Sequence, residues 1–112
     1  MEQVSDAGTP DSTANGLDAT CAVDTCPMSG EGVDGQGASF DGVDDALRVA
    51  HDPVLELTEE ITVMAWGQLS ADPSSLYVHY VAKPLGVGSG NSYELYYRAF
   101  DGSVPATMRL RI

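Results

Sequence analysis

Residues 35–66, GQGASFDGVDDALRVAHDPVLELTEEITVMAW, decide how this chain reads. Ala38-Ser39-Phe40 runs as a short strand into the turn Asp41-Gly42-Val43-Asp44-Asp45, and Ala46-Leu47-Arg48-Val49 is the returning strand. His51-Asp52-Pro53 breaks the run, because proline offers no N–H to a ladder and fixes φ. Ile61-Thr62-Val63-Met64-Ala65-Trp66 then reads as a third strand. Its two faces, Ile61, Val63, Ala65 and Thr62, Met64, Trp66, are both largely apolar, which predicts a strand covered on both sides. Trp66 accordingly reads as a core residue, the other reading being an exposed aromatic that stacks on a sugar.

Phe40-Asp41-Gly42-Val43-Asp44-Asp45, Leu55-Glu56-Leu57-Thr58 and the 61–66 strand ending in Ala65-Trp66 together resemble the laminin G-like / concanavalin A-like jelly-roll family. Val81-Ala82-Lys83 is similar to that family's next strand, which often ends in lysine. Residues 91–97 are similar to its G-x-x-L-x-L strand. Each motif is short, and the resemblance lies in their order and spacing over roughly residues 11–112. It implies an all-β, antiparallel β-sandwich of the jelly-roll kind. Residues 1–10 would form an N-terminal segment and residues 11–112 the N-terminal portion of the domain. Arg109-Leu110-Arg111-Ile112 ends in mid-alternation with no turn signal, so the expected jelly roll is incomplete at the C-terminus. Gly67 departs from the family pattern, in which a β-branched residue often follows the tryptophan.

Composition bounds the function. The 112 residues carry 17 Asp and Glu against 5 Lys and Arg, a net charge of −12. No Lys or Arg precedes Arg48, whereas Glu2, Asp6, Asp11, Asp18, Asp24, Glu31, Asp34, Asp41, Asp44 and Asp45 do. Such a chain lacks the cations that displace counterions from nucleic acid, and it is repelled by anionic membranes. No stretch approaches the roughly 18 apolar residues of a membrane helix, and Met1-Glu2-Gln3 begins no charged and apolar run of a signal peptide. The carboxylates either keep a β-rich surface soluble or, in part, bind Ca²⁺, which takes oxygen ligands.

Asp11-Ser12-Thr13-Ala14-Asn15-Gly16-Leu17-Asp18 is similar to the D-S-S-G-N-G-x-D loop near the start of many family members, departing from it at Thr13 and Ala14. The resemblance implies a structural Ca²⁺ held by Asp11 and Asn15; the plainer reading is an Asx turn without metal. Cys21 and Cys26 flank four residues, too many for a redox C-x-x-C and too few thiols for zinc. They read as a local disulfide, against two free thiols, and a disulfide implies an oxidising compartment. Some bacterial surface-type members of the family carry a similar C-x4-C-P loop. Gly30, Gly32, Gly35 and Gly37, and later Gly86, Gly88 and Gly90, lack the strand and helix context of a dinucleotide fingerprint and read as flexible turns.

Beyond the loop at Asp72-Pro73-Ser74-Ser75, residues 76–83 alternate as a strand, with Leu76, Val78, Tyr80, Ala82 on one face and Tyr77, His79, Val81, Lys83 on the other. Residues 92–100 and 106–112 form a hairpin around Asp101-Gly102. A two-residue turn there sets Tyr97 opposite Ala106, Leu95 opposite Met108 and Glu94 opposite Arg109. Tyr93, Leu95, Tyr97, Met108 and Leu110 then share a face. Pro105 is the weak point of this register, because it cannot donate a ladder bond. Tyr96, Arg98 and Arg109 are the candidate ligand-binding residues exposed on the hairpin, with Tyr77, His79 and Tyr80 on the preceding strand. Each also reads as an ordinary strand residue; His79 has no partner nearby in sequence, and His51, beside Asp52-Pro53, reads as a loop residue.

The resemblance implies a non-catalytic module that binds a glycan or an extracellular protein, in a secreted or cell-surface multidomain bacterial protein. The alternatives are a structural spacer, or an accessory domain attached to a glycoside hydrolase. The alternating carboxylates of concanavalin A-like hydrolases have no counterpart in Glu56-Leu57-Thr58-Glu59-Glu60, and no nucleophile or metalloprotease motif is present. The chain is therefore expected not to be an enzyme.

Overall fold

The computed structural model of the chain describes residues 8–71, 73, 75–84 and 91–112. It is all-β: three antiparallel sheets and a single 3-10 turn, Pro53–Leu55, among the described residues. The chain forms two compact units, the first ending at Ile61 and the second running from Thr62 to Ile112.

In the first unit, β1 (Gly8–Thr9), β2 (Ala19–Thr20) and β5 (Arg48–Val49) form one small sheet in that order, with Thr9 opposite Ala19 and Ala19 opposite Val49. Gly8 sits at φ +125, and a side chain there would meet the Ala19 carbonyl oxygen at 2.0 Å, so only glycine fits. A separate hairpin pairs β3 (Met28–Glu31) with β4 (Gln36–Ser39), Gly30 facing Gly37. This corrects the reading of these glycines as flexible turns. Only residues 32–35 turn, closed by Gly32 N–H to Gly35 C=O at 2.8 Å, with Gly35 at φ +83. A Cβ on Gly32 would lie 3.0 Å from the Gln36 backbone, so the glycines let the hairpin close tightly.

The turn at Asp41 to Asp45 is present, but its two arms do not pair with each other. Ala38 and Ser39 belong to β4, and Arg48 and Val49 pair with β2. The turn is a corner between sheets, not the tip of a hairpin. Cys21 and Cys26 are joined by a disulfide, Cα to Cα 5.1 Å. Thr25 C=O inside that loop accepts the Ala46 N–H at 3.0 Å, tying the disulfide loop to the exit of the corner. The expected strand at 61–66 is not formed. No described strand pairs with it, and Met64 and Trp66 are 87% and 85% exposed. β propensity without a ladder partner does not make a strand, and Trp66 is a surface residue here.

The second unit is a three-stranded sheet in the order β6 (Tyr77–Pro84), β7 (Asn91–Arg98), β8 (Thr107–Arg111). The turns expected at residues 86–90, and Asp72 and Ser74 of the preceding loop, lie outside the described residues. The β7–β8 register differs from the two-residue-turn expectation by two positions: Leu95 faces Leu110, Tyr97 faces Met108 and Glu94 faces Arg111. The cause is Asp101. Its Oδ1 accepts the Ser103 and Val104 N–H groups at 2.9 and 2.8 Å and the Ser103 hydroxyl at 2.9 Å. That holds a wider connection with Pro105 inside it. A shift of two keeps every side chain on its expected face, whereas a shift of one would have reversed them all.

Asp101 is one of four aspartates with the same role. Asp11 Oδ1 accepts the Thr13 N–H, Asp41 Oδ1 the Val43 N–H, Asp52 Oδ1 the Val54 N–H and Asp101 Oδ1 the Ser103 N–H, at 2.8, 2.8, 2.9 and 2.9 Å. Each is an Asx turn, in which the side chain replaces a backbone acceptor two residues back. These bonds stabilise the ionised form. The Thr13 N–H lowers the Asp11 pKa, the Val43 N–H that of Asp41, and the Val104 and Ser103 N–H groups bring Asp101 well below the usual carboxylate range. A depressed folded-state pKa contributes stability above the unfolded value and loses it as pH falls through the folded value. Denaturant melts should therefore change little between about pH 7 and pH 5 and weaken steadily below about pH 4. Undiminished stability at about pH 2 would show that the turns do not depend on ionised aspartate.

Candidate functional site

The β6–β8 sheet brings most of the candidate residues together. Within it, Tyr77 pairs with Arg98, His79 with Tyr96 and Ala82 with Glu94 across β6 and β7. Arg98 faces Thr107, Tyr96 faces Arg109 and Glu94 faces Arg111 across β7 and β8. One face of the sheet thus carries Tyr77, His79, Glu94, Tyr96, Arg98, Arg109 and Arg111. The other carries Val78, Val81, Lys83, Tyr93, Leu95, Tyr97, Met108 and Leu110.

A bulge makes this sorting possible. The register shifts between His79 and Val81, leaving Tyr80 unpaired. Strict alternation would have put Val81 and Lys83 beside His79; the extra residue returns them to the apolar face. Tyr80 is set over Gly67, where an added Cβ would come within 2.0 Å of its ring. That contact gives a physical reason for glycine after Trp66.

Burial on the polar face is the reverse of what its composition suggests. Tyr96 and Arg98 were expected to be exposed, yet they are 7% and 9% exposed, and Glu94 is 2% exposed. The correction follows from position. β7 is the central strand, and long side chains from both neighbours close over it. The Tyr77 and His79 rings lie 5.8 and 5.5 Å from the Tyr96 ring, centroid to centroid. Of the three candidate ligand-binding residues, only Arg109 is exposed, its Nε donating to Thr107 Oγ1 at 3.2 Å.

Glu94 is the centre of the face. Arg111 Nη2 donates to Glu94 Oε1 at 2.6 Å, and His79 Nε2 lies 3.0 Å from Glu94 Oε2. One buried carboxylate therefore joins all three strands. His79 has a partner after all, fifteen residues away in sequence. Further along, Arg98 Nη2 pairs with Asp101, anchoring the β7–β8 connection to the sheet. The Tyr77 hydroxyl and then the Asp101 carboxylate hold the Arg98 guanidinium charged, and its Nη1 is buried with no hydrogen-bond partner among the described residues. His51 lies in a loop, 3.6 Å from Glu56 on an exposed surface.

The first unit holds the residues proposed for calcium. Asp11 Oδ1 accepts the Thr13 N–H, and Asp11 Oδ2 accepts the Thr13 hydroxyl at 2.7 Å and the Leu17 N–H at 3.0 Å. Asp18 Oδ1 accepts the Asp11 N–H at 2.8 Å, and the Asn15 N–H donates to Thr13 Oγ1 at 3.3 Å. Calcium needs 6–8 oxygen ligands, and the groups around this carboxylate are N–H and O–H donors. In this structure the arrangement is that of a self-capped loop. Carboxylate oxygens converge instead at Asp41, Asp44 and Asp45, within 4.8 Å of one another. There Asp41 Oδ1 and Asp45 Oδ2 accept backbone N–H groups of the same turn. Sequence reasoning identified this turn without seeing the convergence, although Asp44-Asp45 after Asp41-Gly42 was the signal for it.

Comparison with known families, curated proteins and solved structures finds no match to this chain. No helix among the described residues is long and apolar enough to cross a membrane.

Two variants separate the roles of the charged groups. Arg111→Ala takes one partner from the buried Glu94 carboxylate and is expected to cost about 3 kcal/mol in a denaturant melt, whereas Glu94→Leu removes the buried charge itself and is expected to cost less than about 1 kcal/mol. The opposite ranking would show that Glu94 is not the group that needs a partner. At the other site, Asp11→Ala is expected to lower the melting temperature by several degrees, and by the same amount in calcium and in EDTA. A calcium-dependent rise in the parent chain that Asp11→Ala abolishes would place a metal there.

Proposed function

We propose that this chain is a non-catalytic binding module of the laminin G-like / concanavalin A-like jelly-roll kind, from a secreted or cell-surface protein. Its ligand is a glycan or an extracellular protein, taken up on the polar face of the β6–β8 sheet. One observation carries this reading: exposed Tyr77, His79 and Arg109 stand around a fixed floor of Tyr96, Glu94 and Arg98. A ring, an imidazole and a guanidinium offer stacking and directional donors, the combination that orients a polar ligand. Three of the five Lys and Arg residues of a −12 chain lie on this one face. The floor is fixed by ion pairs, so the face is preorganised and little ordering is needed on binding.

The antiparallel all-β architecture is compatible with a jelly roll, and the disulfide supports an oxidising compartment. Fold alone does not name a ligand, so the face is where the reading is tested. A screen against glycans and extracellular-matrix proteins should return hits that Tyr77→Ala and Arg109→Ala each weaken about tenfold, a typical loss for an interface anchor, with the β-sheet circular-dichroism signature retained. Hits indifferent to both substitutions would move the site off this face, and a screen with no hits would make the chain a spacer.

A further inference from the structure

The two outer strands of the second unit differ in a way that points to a partner. The open edge of β6 is blunted: its register breaks after His79 and again before Pro84, and proline has no N–H to donate. β8 has neither defence. Its five residues run in unbroken register with β7, without proline, and no described strand pairs with its other edge. Its side chains alternate cleanly. Arg109 and Arg111 lie on the polar face, while Met108 and Leu110 lie on the apolar face, 54% and 49% exposed. Ile112, just past the strand, is 79% exposed.

The arginines also say what does not belong on this edge. An antiparallel second copy, in the register that pairs all five residues of the strand, sets Arg109 against Arg109. Like charges directly opposite are destabilising, and two chains of −12 repel besides. A strand carrying carboxylates at alternate positions meets the reverse situation. Arg111 already shares Glu94, but Arg109 pairs with no carboxylate among the described residues.

We propose that the outer edge of β8 is a β-augmentation site for an extended peptide segment of a partner protein, with acidic residues alternating with apolar ones. The main chain of that segment continues the ladder, its carboxylates lie opposite Arg109 and Arg111, and its apolar side chains extend the row of Met108 and Leu110. This goes beyond the polar-face reading: it uses the edge of the sheet, and Tyr77 has no part in it.

The test uses three labelled synthetic peptides of roughly nine residues, long enough for one strand: alternating Val and Glu, alternating Val and Lys, and a block of Glu followed by a block of Val. Fluorescence anisotropy against the full chain should show saturable binding of the alternating Glu peptide only. Arg109→Glu should weaken it at least about tenfold and transfer binding to the Lys peptide, as expected when the sign of a cross-strand charge pair is exchanged. Tyr77→Ala should leave it unchanged, which separates this site from the polar face. Equal binding of the alternating and block Glu peptides would overturn the proposal, because charge alone would then suffice. So would absence of binding to a chain that melts cooperatively, or a solution dimer strengthened by Arg109→Glu, which would make the edge a contact between copies.

Discussion

The second unit depends on one buried anion. Glu94 lies in the middle of the central strand, and its two carboxylate oxygens are divided between the neighbours, Oε2 to His79 on β6 and Oε1 to Arg111 on β8. A carboxylate removed from water is costly unless both oxygens find donors, and here the donors come from different strands. The sheet must therefore hold both flanking strands in register for Glu94 to be tolerated. The bulge at Tyr80 serves the same requirement, because it keeps His79 on the face of Glu94 while Val81 turns to the face of Leu95. The exposed candidates Tyr77, His79 and Arg109 then stand at fixed distances from one another because the floor beneath them is fixed.

This arrangement divides one face into a buried floor and an exposed rim. The residues that sequence pattern makes most attractive as ligand contacts, Tyr96 and Arg98, are occupied: Tyr96 is covered by two rings, and Arg98 holds the Asp101 loop. In the proposed binding role, contacts with a ligand fall to the flanking strands. A central strand of long polar side chains is buried by its own neighbours, and its residues define a surface that they do not themselves present.

Much of the second unit was legible in the sequence because alternation is a strong signal. The three strands fall within one or two residues of their expected limits, and the composition of each face of β7 and β8 is as expected. The register was two positions out because the turn rule saw only Asp101-Gly102. It could not see that Asp101 would accept three hydrogen bonds from Ser103 and Val104 and widen the connection. The bulge at Tyr80 leaves no mark on a period-two pattern. In the first unit, glycine hid the β3–β4 hairpin, since Gly30 and Gly37 have low strand propensity and the close approach of two backbones is a tertiary fact. The 61–66 stretch failed in the opposite sense: it has propensity and pattern but no ladder partner. The Cys21–Cys26 pair was readable because five residues of separation allow little else. Calcium at Asp11 was a reading of residue types, and the hydrogen bonds that Asp11 makes within its own loop are a matter of geometry that residue types do not show.

The acid-rich composition acquires a specific meaning from that geometry. Solubility would place aspartates anywhere on the surface, whereas Asp11, Asp41, Asp52 and Asp101 each stand two residues before a backbone N–H that they accept. Three of these sites are followed closely by a glycine at positive φ, Gly16, Gly42 and Gly102, so the side chain and the glycine share the work of reversing the chain. The strands of the first unit, of two to four residues, make few ladder bonds, and several loops between them are long relative to the strands they join. Under that constraint the connections must be ordered by their own hydrogen bonds. Aspartate is suited to this because its carboxylate accepts several donors at once, as Asp11 and Asp101 do. Part of the negative charge is thus a consequence of ordering the connections through self-capped turns. Among the arginines of the β6–β8 sheet, Arg98 and Arg111 answer carboxylates of the same sheet, and Arg109 is the one whose charge folding does not explain.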